Sequence, residues 1–136
     1  MARRSPLTII AGVLLLAWAG MLAYVSVPTL LSDDPFWDGG ISVLGAFIAS
    51  AHLAAGVGVL ARAWWGRQLG LVMGWIGLFG TVAVVGTLAA SMLSTDLPQE
   101  TPLVLAIPAG MAILYAVIVF ALWRAKAEFA PGVGAD

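Results

Sequence analysis

The chain has 136 residues, of which 62% are hydrophobic and only 10% charged, with a net charge of −1. A water-soluble domain runs near 45–50% apolar and about 25% charged, so one domain in a lipid solvent fits this composition where a soluble core of the same length does not. The near-neutral balance argues against a nucleic-acid partner, and the absence of cysteine excludes disulfides, thiolate nucleophiles and Cys-ligated metals.

A helix needs about 20 mostly apolar residues to cross a hydrocarbon core of ~30 Å. Four segments qualify: Pro6 to Val27, Ile41 to Ala63, Gln68 to Leu93 and Pro102 to Trp123. No Asp, Glu, Lys or Arg occurs from Leu7 to Val27, from Ile41 to Ala61, from Gln68 to Thr95 or from Leu103 to Trp123. A charge at mid-span costs roughly 2.5–3.5 kcal/mol, so four clean windows predict an all-α, integral membrane four-helix bundle, one transmembrane domain over residues 1–136. The alternating polarity of a membrane β-barrel is not seen.

The first span opens with Ser5 as N-cap and Pro6 at the first helical position, and Pro28 is expected to help end it. Met1-Ala2-Arg3-Arg4 before an apolar run could begin a signal peptide. An h-region is only about 7–15 residues, though, and this run is about twenty with three more spans behind it, which favours a retained span. The loop that follows carries Asp33, Asp34 and Asp38. Their spacing is not that of an EF-hand, so no metal is expected; a solvated loop, with Asp38 capping the second helix, accounts for them.

Span two carries Gly45, Ala49, His52, Gly56 and Val59 at spacings of four, three, four and three, a heptad seam of mostly small residues. His52 is the only histidine. At 1.5 Å per residue from Ile41 it lies ~17 Å deep, near the midplane, and an ionisable residue there is a candidate functional residue by default. Trp18 of span one lies at similar depth, and its indole N–H needs an acceptor. A hydrogen-bonded Trp18–His52 pair, with the imidazole neutral, would satisfy both.

The linker Arg62 to Arg67 is short, so spans two and three should be antiparallel neighbours. Span three carries Gly66, Gly70, Gly74 and Gly77, a stripe on one face continued by Thr81. Small residues let membrane helices approach closely, and this stripe can serve span two or another protein. Span four is expected to start at Thr101-Pro102, after Pro98 in the preceding loop. Inside it, Pro108 frees the carbonyl of Val104 and predicts a kink; Thr87 or Ser91 could supply a hydroxyl there. Residues 127–136, with Pro131, Gly132 and Gly134, are expected to form a short flexible tail.

The six basic residues are Arg3, Arg4, Arg62, Arg67, Arg124 and Lys126, all at one end of the four spans. The other end holds Asp33, Asp34, Asp38, Asp96 and Glu100. The positive-inside rule places both termini in the cytoplasm. Trp64, Trp65 and Trp123 form an aromatic belt at the basic end, and Phe36 and Trp37 one at the other.

The turn Ala61-Arg62-Ala63-Trp64-Trp65-Gly66-Arg67 and the glycine-rich span after it resemble a broad group of small four-span bacterial inner-membrane proteins. The use of Arg over Lys, five to one, and of Ala, Gly and Val looks like a GC-rich genome. The resemblance implies the architecture and transfers no functional residue.

Chemistry is sparse. One histidine excludes a bis-histidine haem within the chain. The spans lack partners for zinc, an acid for a Ser-His-Asp triad and the buried carboxylate of a coupled proton transporter. Neither catalytic residues nor a cofactor is expected. The sequence favours a non-catalytic accessory or assembly subunit of a larger membrane complex, with the bilayer and other membrane subunits, or copies of itself, as partners. The alternative is a small transporter or ligand-binding bundle with a midplane pocket around His52 and Trp18.

Overall fold

The computed structural model describes residues 5–31, 39–94 and 101–129. Four helices run in order, α1 (Pro6–Leu31), α2 (Gly39–Leu60), α3 (Trp64–Ser94) and α4 (Thr101–Arg124), followed by a 3₁₀ turn, Ala125–Phe129. No strand occurs among the described residues, and all four helices are long and apolar enough to cross a membrane. α1 packs on α2, α2 on α3, α3 on α4, and α4 back on α1, so the helices close a ring in chain order. The end that holds Ser5, Arg62 and Arg124 is called here the basic end. Asp33, Asp34, Phe36, Trp37, Asp38, Asp96, Pro98 and Glu100 lie outside the described residues, as do Arg3, Arg4 and residues 130–136.

Ser5 caps α1 as its sequence implies. Its hydroxyl oxygen accepts from Leu7 N at 3.1 Å and its carbonyl from Thr8 N at 3.1 Å. Pro28 does not end the helix, because α1 continues to Leu31. The proline removes a single donor in the last turn, whereas unwinding there would leave several backbone groups without partners, the costlier course in an apolar surrounding.

The α2–α3 connection is tighter than a linker over Arg62–Arg67. Ala63 N donates to Gly58 O at 2.8 Å and Arg62 N to Val59 O at 3.0 Å, while Arg62 takes φ 57°. This is a Schellman motif with arginine in the left-handed position that glycine usually fills. It turns the chain within Ala61–Ala63, so α3 begins at Trp64, four residues before the expected start. Of the expected tail, the described residues 127–129 depart from a loose segment, since they belong to the 3₁₀ turn and Phe129 is buried in the core. There Glu128 Oε2 accepts from Thr8 Oγ1 at 2.8 Å and from Ser5 N at 3.4 Å. A carboxylate beside the first turn of α1 also complements the positive end of that helix's dipole.

The glycines set how closely the helices approach. A Cβ on Gly66 would strike the Gly58 carbonyl carbon and lie 2.7 Å from Val59 N, all backbone of α2. Gly70 meets Leu122 at 2.8 Å and Leu15 at 3.3 Å, Gly74 meets Val119 at 2.8 Å, and Gly77 lies against the Tyr115 ring. The stripe therefore points into the bundle, toward α2 at its first glycine and α4 at the other three. In α2, a Cβ on Gly56 would meet Leu16 at 2.8 Å and Gly12 O at 3.2 Å, and one on Gly45 would strike the Ser26 hydroxyl. Ala49 is buried nearby. Among the described residues, the continuous hydrophobic core occupies the half toward the basic end, with Leu15, Val59, Ile118, Leu122 and Phe129 at its centre.

Candidate functional site

At mid-length the ring of helices encloses Trp18 of α1, His52 of α2 and Tyr115 of α4, which are 6%, 1% and 5% exposed. His52 Nδ1 lies 2.9 Å from Ile48 O, one turn back on its own helix. A carbonyl only accepts, so Nδ1 carries the proton. In the neutral ring Nε2 is then an acceptor, and Tyr115 donates its hydroxyl to Nε2 across 3.2 Å. The histidine is thereby fixed in one tautomer, with both nitrogens partnered.

Trp18 does not pair with His52, contrary to the expectation from their depth. Tyr115 comes between them. Its phenol ring stacks on the indole at 5.3 Å with 5° between planes, and it tilts 59° to the imidazole at 6.0 Å. Depth counted along the helices was a sound guide to level but silent on azimuth, and α4 supplied the partner that α1 was expected to supply. Space for the phenol comes from Gly77 of α3, where any Cβ would overlap Cε1 and Cζ. All four helices thus meet at one tyrosine. Spacing along α4 gives no sign of this role.

Trp18 Nε1 is buried and has no hydrogen-bond partner among the described residues. A buried donor left without an acceptor costs about 1–3 kcal/mol, more in hydrocarbon, where water cannot substitute. The cluster therefore offers one unused directional donor beside an aromatic stack. With the imidazole in its neutral form, the cluster holds no formal charge.

Toward the basic end, Arg67 lies within α3 rather than in a linker. It is 7% exposed, and its Nε donates to Leu122 O at 3.0 Å. That carbonyl belongs to the last turn of α4. Charge marked Arg67 as lying outside a span, but a charged donor that caps another helix can lie inside the bundle. Toward the other end, Pro108 lies within α4 and is buried. Thr87 and Ser91 donate to Ala83 O and Thr87 O of their own helix. Thr81 donates to Gly77 O and Leu78 O. No group of three or more metal-binding side chains occurs among the described residues. No known family, curated protein or solved structure matches the chain.

Proposed function

We propose that the chain is a multi-pass protein of the cell membrane, with both termini cytoplasmic, that binds a small uncharged molecule at the Trp18–Tyr115–His52 cluster. The observation that carries this reading is the buried, unpartnered Trp18 Nε1. The other nitrogens of the cluster are satisfied by the protein itself, so the free N–H is the group left for a ligand. The fixed tautomer of His52 and the seat that Gly77 provides for Tyr115 hold the stack still, and a preorganised site loses little entropy on binding. With six basic residues at one end of the spans, the positive-inside rule supports the orientation.

The test is to purify the full chain from its own membrane in mild detergent and identify bound small molecules by mass spectrometry, beside Trp18→Phe. A molecule near one per chain in the native protein, reduced several-fold in the variant, is expected. No such molecule, or equal amounts in both proteins, would overturn the reading.

A second reading, an accessory or assembly subunit, is favoured by one feature. Between α1 and α2 an outward-facing groove of about 340 Å³ is lined by small residues, including Ala19, Gly20, Ala23, Ala46 and Ser50. Gly20 has nothing within 4 Å of where its Cβ would be, so a partner helix could approach closely there. Gly20→Leu should then remove stoichiometric partners from the purified protein while leaving the Trp18 cluster's ligand in place.

A further inference from the structure

The second large depression lies between α3 and α4, on the outward side of the contact that Gly74 makes with Val119. It encloses about 490 Å³ and is walled by Leu71, Trp75 and Leu78 of α3 and by Ala116, Phe120 and Trp123 of α4. Trp75 stacks on Phe79 at 5.5 Å, which stiffens one wall. The other wall ends at the last turn of α4, where the Arg124 guanidinium sits 5.5 Å over the Phe120 ring. Phe120 and Trp123 line the groove, so this stacking keeps the cation beside that end of it, although Arg124 itself is not part of the lining, and among the described residues no ion pair neutralises it. Lys126 is exposed just beyond. The groove is thus apolar and aromatic along its length and cationic where it reaches the level of the lipid headgroups.

We propose that this groove is a binding site for one anionic phospholipid, in the leaflet that holds the C-terminal end of α4. An acyl chain lies along Ala116 between Trp75 and Phe120, and the phosphate meets Arg124. The inference does not depend on the ligand reading of the Trp18 cluster, which lies inside the ring. Charge decides the occupant. A second copy in the same orientation would present its own Arg124 and Lys126 at the same height, so like charges would face each other. An anionic headgroup complements the mouth, and a guanidinium is the side chain best suited to phosphate oxygens.

Native mass spectrometry of the full chain, titrated with phosphatidylglycerol or with phosphatidylcholine of the same acyl chains, tests this. Each basic residue near an anionic headgroup contributes about 1 kcal/mol, so one phosphatidylglycerol should bind about fivefold more tightly than phosphatidylcholine at 1.4 kcal/mol per tenfold. Arg124→Gln should abolish the preference without unfolding the chain, because its side chain is exposed. Ala116→Trp should displace both lipids by filling the groove. Equal binding of the two lipids, a preference that survives Arg124→Gln, or a dimer that excludes lipid and is lost with Ala116→Trp would each overturn the proposal.

Discussion

The same substitution, Gly→Ala, should act in opposite directions at two places on α3. At Gly66 the new Cβ would fall on the Gly58 carbonyl carbon, 2.5 Å from Gly58 Cα and 2.7 Å from Val59 N. These are backbone atoms of α2, and no rotamer change can move them, so the helices must part. Overpacking of this kind costs roughly 1–3 kcal/mol, while alanine's better helix propensity returns at most about 1 kcal/mol. The clash dominates, and Gly66→Ala should destabilise by roughly 1–2 kcal/mol net. At Gly80 nothing lies within 4 Å of the Cβ position. Only the propensity term remains there, and Gly80→Ala should stabilise by about 0.5–1 kcal/mol. The two variants should therefore differ by roughly 1.5–3 kcal/mol. Equilibrium unfolding by SDS in mixed micelles, followed by far-ultraviolet circular dichroism, measures the difference. Midpoints that shift together would show that the α2–α3 crossing is not held by glycine contact.

Other substitutions test other parts of the bundle. Tyr115→Phe keeps the stack on Trp18 and removes the donor to His52 Nε2; in a double-mutant cycle with His52→Ala the coupling should be about 0.6 kcal/mol, the average for hydrogen bonds between membrane helices, and at most about 1.7 kcal/mol, and a value near zero would remove the bond from the account. Tyr115→Ala should cost more, roughly 3–5 kcal/mol, because it empties the space beside Gly77. Gly70→Leu and Gly74→Leu drive side chains into Leu122 and Val119, and unchanged folding in circular dichroism and unfolding midpoints would refute the inward stripe. Phe129→Ala should open the basic end: protease access to the C-terminal residues should rise and stability fall by about 3–5 kcal/mol, whereas unchanged proteolysis would mean that the 3₁₀ turn is not docked in solution.

Uncharged windows were enough to foresee four helices, because insertion in an apolar solvent is governed by composition over some twenty residues, whereas Pro28 misplaced the end of α1. Glycine spacing likewise marked Gly66, Gly70, Gly74 and Gly77 as one face, since a helix places residues four apart on one side. Spacing along one helix does not say which helix lies opposite, so Tyr115 went unrecognised as the residue that joins Trp18 to His52. Gly12, which meets Leu60 and the Gly56 carbonyl, was missed for the same reason. Arg67 and Glu128 were hidden by a different rule. Charge is used to mark where a span stops, yet both side chains satisfy helix termini, Arg67 at the end of α4 and Glu128 at the start of α1. A terminus has unmet backbone groups, and a charged side chain that meets them can lie inside the boundary that charge seems to draw.

Exposure of apolar side chains does not by itself argue for a protein partner in this chain. Phe47, Phe79, Ile113 and Trp123 are exposed, but acyl chains cover such residues without cost. A buried, unpartnered donor is different, because lipid cannot satisfy it. Trp18 gains its stack on Tyr115 from the ring faces, and the N–H adds nothing to that stack. The sulfur isostere of tryptophan, a benzothienyl side chain without the N–H, tests this directly. It keeps ring, volume and stack, so no cavity term enters, and the ligand-free protein should become more stable by about 1–3 kcal/mol. The same change should weaken any ligand held by that donor, a trade of stability for binding that active sites commonly show. Loss of stability, or no change in SDS unfolding, would mean that Nε1 already has an acceptor, and the ligand reading would lose the observation on which it stands.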